Sequence, residues 1–408
     1  MGKAALSHIR VLDLSRVLAG PWAGQNLADL GAEVIKIERP RAGDDTRAWG
    51  PPFLKNRTGD DTGESAYYLS TNRGKKSVTV DITRTEGQDL VRQLVSESDI
   101  VLENFKVGGL KKYGLDYDSL KALNPGLIYC SITGFGQTGP LAERPGYDAM
   151  IQAMGGLMSI TGERDDQPGG GPQKVGVAMA DILTGMYATV AVLAALASRD
   201  WTGKGQQIDL ALLDVQTACL ANQAMNYLVS DTAPGRLGTA HPNIVPYQAF
   251  ATADGYMILA VGNDHQFARF CELAGQAGLA EDTRFGRNAD RVRNRDDLIP
   301  IVEQILRRRS TAEWLQVLEP ASIPCGPINT IDEVFAEPQV KHRGMRIEMD
   351  HARAGKIPLV ASPMKLSGTP VEYQRPPPLL GEHTEEVLGE VLGLTSADFQ
   401  ALRADGVL

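Results

Sequence analysis

The chain has 408 residues, more than a single core usually organises, so two cores are expected. It is 43% hydrophobic and 22% charged, which excludes a disordered chain. A net charge of −9 argues against nonspecific binding to nucleic acid or anionic membrane, but leaves room for a local basic patch around a phosphorylated ligand.

The opening MGKAALSHIRVLDLSR lacks the apolar core of a signal peptide. Gly2 invites a myristoylation reading, but Leu6 stands where that motif needs Ser or Thr. IRVLDLS then reads as a strand and AGPWAGQNLADLGA as a helix, with Pro21 suited to its first turn. EVIKIE is the next strand. The glycine- and charge-rich stretch RPRAGDDTRAWGPPFLKNRTGDDTGES follows, long enough to be functional rather than a mere connector. KSVTVDI, TEGQDLVRQLVSES, DIVLENF, DYDSLKALN and GLIYCSIT continue the alternation of strand and helix. Short β-branched runs between helices predict an α/β fold with a mostly parallel sheet, whose ligands bind at the carboxyl ends of the strands. Lysines in TNRGKKS (Thr71–Ser77) and KVGGLKKYG (Lys106–Gly114) flank those ends; they are either solvated or phosphate-binding.

GFGQTG (Gly134–Gly139) matches the dinucleotide fingerprint GxGxxG. However, Pro140 follows at once, and the match lies on a late strand rather than in the first βα turn. Glu38, at the end of the second strand, keeps an NAD-dependent oxidoreductase open as a reading. No GxxxxGK[ST] loop is present. GERDDQPGGGPQK follows, and its Gly169–Gly171 run is either a mobile lid or a linker.

QKVGVAMADILTGMYATVAVLAALAS (Gln173–Ser198) is apolar apart from a single carboxylate, Asp181, near its start. Its uninterrupted part, Ile182 to Ala197, falls short of the roughly 20 residues of a membrane span, so a buried core helix apolar on all sides is predicted. Asp181 is then either a helix cap or a catalytic carboxylate held near a helix N-terminus. Helical character continues to about Val229. YQAFATADGYMILAVGN reads as a hairpin turning at Asp254–Gly255, helices run from about Asp264 to Leu318, and the tail has strand and then helix character. Cys130, Cys219, Cys271 and Cys325 form no CxxC pair, and the six histidines form no HExxH pair. Free thiols in a reducing cytoplasm, and no metal, are expected.

The ordered blocks RVLDLSRVLAGPWAGQNLADLGAEVIKIERP, GDDTRAWGPP, NRGKKSVTVD, VLENF, SITGFGQTGP, GYDAMIQAMGG, VGVAMADILTGMYA, GKGQQIDLALLD, IPCGPINT and PLLGEHTEEVL together resemble the class III coenzyme A transferases, the CaiB–BaiF family. The resemblance runs from about Ile9 to the C-terminus. It implies a Rossmann-like large domain, a smaller α+β domain and a C-terminal return, in two chains interlocked as a homodimer. The large domain is expected over 1–205 and 335–408, the small domain over 225–325, with linkers at 206–224 and 326–334.

The resemblance also implies a chemistry. Asp181, in the ADILTG block, matches the family's nucleophile, which forms an acyl anhydride and then an aspartyl-CoA thioester. CoA is a substrate, and no tightly bound cofactor is implied. Contacts to CoA carry over to Leu18, Ala19, Arg39, Ile82, Thr83, Asn104 and Lys112, and Tyr147 matches a residue near the reacting acyl group. The opening blocks look most like the succinyl-CoA:glutarate or hydroxymethylglutarate branch. The formyl-CoA:oxalate branch has a tetraglycine loop where this chain has GTAHPNIVPYQAF, and a lysine where it has Pro145. A dicarboxylate needs a counter-charge, for which Arg47 and Arg73 are candidates, with a loop-ordering salt bridge as the competing role. A racemase or epimerase of the same family would use a His–Asp pair, and GYDAMIQAMGG carries no histidine.

Overall fold

A computed structural model describes residues 4–408, which divide into two compact units. The first comprises 4–157, 175–225 and 338–408; the second comprises 158–174 and 226–337.

The first unit is built on strands β1 (Arg10–Asp13), β2 (Glu33–Glu38), β5 (Lys75–Thr79), β6 (Ile100–Glu103), β7 (Ile128–Thr133) and β8 (Gln207–Ala211), with a hairpin of β3 (Phe53–Lys55) and β4 (Asp61–Ser65) inserted after β2. The six strands form one parallel sheet in the order β5-β2-β1-β6-β7-β8. Its order reverses between β1 and β6, the switch point at which doubly wound sheets open a crevice.

Alternating side chains serve the two faces, as the two-residue strand period requires. Val11, Ile100, Leu102, Ile128 and Ile132 pack on one side with α1 (Ala19–Asp29) and α7 (Met179–Thr202). Leu12, Ile35, Val101 and Tyr129 pack on the other with Leu90, Val91 and Leu94 of α3 (Thr85–Ser96). The C-terminal helices Thr384–Leu392 and Ser396–Ala404, which belong to the first unit, cover that same second face. Four further short helices are α2 (Ala66–Leu69), α4 (Tyr117–Leu120), α5 (Asp148–Met154) and α8 (Leu212–Ala218), and α6 spans Leu157–Ile160.

The second unit has its own core, in which Phe250, Met257, Phe267, Phe270 and Trp314 are buried. Strands β9 (Tyr247–Ala251) and β10 (Tyr256–Ala260) are the hairpin read from the sequence, joined by β11 (Cys325–Pro327) in an antiparallel sheet.

The boundaries differ from expectation. Residues 206–224 are not a linker, because β8 completes the main sheet and interrupts what reads as continuous helix. Its QIDLA sequence has a two-residue alternation too short to stand out between two helices. Residues 326–334 belong to the second unit through β11, and so does 158–174 with Gly169–Gly171. The tail holds a second hairpin strand, β12 (Arg346–His351), paired with β13 (Gly355–Val360).

Helix α7 is also not buried on all sides. Ala180, Thr184, Ala188, Val192 and Leu196 face the core, whereas Met186, Tyr187, Val190 and Leu193 are exposed. At 24 residues it meets the length and composition of a membrane span.

Candidate active site

The crevice is built around the loop between β1 and α1. Beneath it lies a buried charge network. Lys75 Nζ is 2.9 Å from Asp13, Lys36 Nζ donates to the Ser15 carbonyl at 2.8 Å, and the same Nζ is 2.9 Å from Asp44. Asp44 in turn accepts from the N–H of Val17, a residue with a left-handed φ of 72°. Burial pushes the Lys75 ammonium down to about 8, while Asp44, despite its burial, is held at about 2 by Lys36 and the Thr46 N–H. From the other side Asn104, just beyond β6, accepts from the Arg16 N–H at 2.9 Å and donates to the Arg16 carbonyl at 2.7 Å. The loop is thereby fixed from two strands at once.

Two cavities of about 190 Å³ each open on this loop. The first lies over the ends of β2 and β5 and is lined by Arg39, Ile82, Thr83 and Tyr113. The second lies over β6 and β7 and is lined by Leu18, Ala19, Asn104, Gly134, Tyr147 and Asp181. Arg16 and Phe105 line both, so the two cavities adjoin at this pair of side chains. The Arg16 guanidinium stands 5.6 Å over the Phe105 ring and 2.9 Å from Asp45. Seven of the sequence-read residues (Leu18, Ala19, Arg39, Ile82, Thr83, Asn104 and Tyr147) therefore share one groove with Asp181. Lys112 lies outside it; its ammonium sits 4.6 Å over the ring of Tyr113.

Asp181 is not the cap of α7. The cap position is Ala178, which offers no side chain for the purpose, and Asp181 lies in the first turn. Asp148, the first residue of α5, supplies the cap from outside: its Oδ1 accepts from the Ala180 N–H at 2.9 Å and from the Asp181 N–H at 3.4 Å. Among the described residues no hydrogen bond or ion pair reaches the Asp181 carboxylate. Burial, with the nearby Asp148 charge added, pushes it up to about 7. Tyr67, in α2, is pushed up to about 12 by burial and then by Asp181 and Asp148. The close seat of α7 on α1 depends on Gly185, where a Cβ would stand 2.6 Å from the Ala19 carbonyl oxygen. That contact brings Asp181 to the Leu18–Ala19 loop.

Arg47 and Arg73 are placed otherwise than read. Arg47 is buried, bonded through Nε and Nη2 to both oxygens of Glu38 at 2.8 Å, through Nη1 to Glu64, and through Nη2 also to Tyr68 and the Pro378 carbonyl. Arg73 grips both oxygens of Asp29 and the Val360 carbonyl. Neither lines the cavity that holds Asp181, and their donors are occupied. The cations that do line it are Lys106, one of the lysines read as solvated or phosphate-binding, and Arg16 and Arg144, which sequence reasoning did not nominate. Arg144 is three residues before Tyr147, so its proximity to that residue was the available signal.

The GFGQTG glycines do not open a helix. The chain runs on as loop to α5, and a Cβ at Gly134 would lie 2.6 Å from the Gly146 Cα, so Gly134 and Gly146 let two backbone segments touch at the cavity. Among the described residues no cluster of His, Cys, Asp and Glu is arranged to hold a metal ion.

Cavities at the switch point with a poorly solvated carboxylate in their wall define a ligand site of the doubly wound α/β class. A model of CoA-transferase family III matches residues 6–384, and the chain belongs to that family; it is a CoA-transferase. It is 54% identical over 389 residues to the succinate–glutarate CoA-transferase of Agrobacterium fabrum, covering 95% of this chain and 96% of that one. It is 46% identical over 403 residues to the human succinyl-CoA:glutarate CoA-transferase, covering 99% and 90%. The crystal structure of a CaiB/BaiF family protein from Brucella suis superposes with a TM-score of 0.82 at 51% identity, covering 94% and 98%.

Proposed function

We propose that this CoA-transferase moves CoA from succinyl-CoA to a short dicarboxylic acid, with glutarate the first acceptor to test, through covalent intermediates on Asp181. The observation that carries the mechanism is a carboxylate without a partner on the wall of a cavity that adjoins a second one over the ends of β2 and β5. The dicarboxylate rests on the substrates named for the relatives from Agrobacterium and human.

In this reading the ADP portion lies over Arg39, Ile82 and Thr83, and the pantetheine runs over Arg16 and Phe105 toward Asp181. An Asp181 oxygen attacks the thioester carbonyl; the C–S bond breaks, and CoA leaves as thiolate with a succinyl–aspartyl anhydride behind it. The thiolate attacks the aspartyl carbonyl, succinate departs, and an aspartyl-CoA thioester remains. The acceptor carboxylate then attacks that thioester, and the released thiolate takes the acceptor's acyl group, which returns Asp181 as carboxylate. Dividing one exchange into four additions lowers each barrier. Nothing in these steps calls for a further cofactor. Lys106 and Arg144 take the place of Arg47 and Arg73 as counter-charges for the distal carboxylate.

The exposed apolar stripe Met186, Tyr187, Val190 and Leu193 supports a homodimer in which a second chain covers α7. The four free thiols accord with a reducing, cytoplasmic setting. A racemase would need a second acid–base group across the substrate from Asp181, and histidine is not among the residues lining the cavity.

The test is mass spectrometry of CoA esters formed from succinyl-CoA and a panel of mono- and dicarboxylic acids, with hydroxylamine trapping on the enzyme. A hydroxamate on the Asp181 peptide and glutaryl-CoA among the products are expected. Transfer with no adduct at Asp181 would defeat the covalent route, and a preference for monocarboxylates would defeat the acceptor class.

A further inference from the structure

An acid in the first turn of a helix ordinarily gains from the unsatisfied N–H groups there, which favour its ionised form. In α7 those groups are already taken. Asp148 reaches across from α5, and its buried Oδ1 accepts from the N–H of Ala180 at 2.9 Å and from that of Asp181 itself at 3.4 Å. Its Oδ2 is held by Gln152 Nε2 at 2.8 Å. Gln152 also ties down the approach to α7, accepting from the Val175 N–H at 3.0 Å and donating to the Val177 carbonyl at 3.3 Å. Both oxygens of Asp148 are therefore fixed, and with them a second carboxylate beside the Asp181 backbone.

Two consequences follow for the Asp181 carboxylate. It is denied its own helix's donors, and it faces a like charge at short range. Both disfavour ionisation and leave the ionised oxygen weakly solvated and basic, which strengthens it as a nucleophile. The other titratable group drawn into this cluster is Tyr67 of α2, a neutral phenol at ordinary pH. The charged side chains lining the same cavity are Arg16 and Asp45, which pair with each other, and Lys106, Glu143 and Arg144.

We propose that Asp148 is a positioning residue for the transfer reaction: by occupying the N-terminal N–H groups of α7 it places Asp181 and keeps its carboxylate basic. The proposal rests on Asp181 being the residue acylated. A sequence reading alone finds Asp148 only as the neighbour of Tyr147; the cross-helix bond is what gives it a role.

The experiment compares the pH dependence of kcat/KM for succinyl-CoA in wild type and in two neutral capping variants, D148N and D148S. D148N keeps a side-chain oxygen at the position that accepts from the Ala180 N–H, D148S keeps only a shorter hydroxyl, and both remove the charge. The acidic limb of the profile is expected to move toward lower pH by on the order of one unit in either variant, with kcat reduced on the plateau. The charge-retaining variant D148E is expected to keep the limb nearer its wild-type position. A purely structural cap would lower thermal stability and leave the limb where it is, and an unmoved limb in variants that melt like wild type would overturn the proposal. Failure of both neutral variants to fold would do the same, assigning Asp148 to the fold alone. Hydroxylamine trapping on wild type separates the two claims: an adduct at Asp181 with an unmoved limb rejects only the role of Asp148, whereas no adduct rejects the covalent mechanism beneath it.

Discussion

Asn104 holds Arg16 by both polar groups of its backbone, accepting from the N–H at 2.9 Å and donating to the carbonyl at 2.7 Å. The Arg16 side chain, paired with Asp45 and stacked over Phe105, stands where the two cavities adjoin. Asn104→Ala removes both bonds, and each is worth about 0.5–1.5 kcal/mol net. The loop then samples conformations in which the groove is not formed. CoA affinity, measured by titration calorimetry, should fall by roughly 5- to 100-fold. Unchanged affinity would show that the loop is fixed by Asp44 and Lys36 alone.

Arg47→Ala and Arg73→Ala are expected to act on folding and not on acceptor choice. Removing Arg47 leaves Glu38 and Glu64 buried without their shared cation, and removing Arg73 does the same to Asp29. Breaking a buried pair from one side costs about 3–5 kcal/mol. Urea melts should show that loss in each variant. A variant that melts like wild type but has lost only glutarate use would return that arginine to the substrate site.

The two arginines show where the sequence stops being informative. The strands of the main sheet are legible because their apolar runs are bounded by turns, and the groove is legible because ligand loops follow the carboxyl ends of such strands. The carboxylate that a given arginine meets is a different kind of fact. Glu38 is near Arg47 in the chain, but Asp29 is far from Arg73, and nothing in the spacing chooses between these partners and a substrate. Asp181 was singled out by its isolation in an apolar run, yet its local role was open until the cap proved to be Asp148, on another helix. β8 was hidden for a related reason: five residues between two helices acquire strand character only by pairing with β7.

The exposed face of α7 predicts the state of association. Met186, Tyr187, Val190 and Leu193 form an apolar stripe of a kind that monomers seldom leave in water. If the second chain is interlocked with the first, the two separate only by unfolding. Mass photometry at about ten nanomolar should show dimers only, with no monomer appearing over hours. A reversible monomer–dimer equilibrium under those conditions would rule out interlocking.

The last prediction concerns the stability cost of Asp181. Its folded value of about 7 lies above the ordinary aspartate value of 3.8, raised by burial and then by Asp148. Below about pH 4 the side chain is protonated in both folded and unfolded chains and carries no ionic penalty. Between about pH 4 and 7 the unfolded chain releases this proton first, so the folded state binds more protons and stability falls as pH rises. Above about pH 7 both states are ionised and the penalty is complete, with an upper bound of roughly 4 kcal/mol. Asp181→Asn has the same shape and no charge. Its stability should match wild type within about 1 kcal/mol near pH 4 and exceed it near pH 8. Paired urea melts across that range give the difference directly. A variant that is inactive and more stable at alkaline pH would identify Asp181 as a group held in place for reaction at the expense of the fold; a difference independent of pH would mean that the carboxylate titrates normally, and would remove the basis for its heightened basicity.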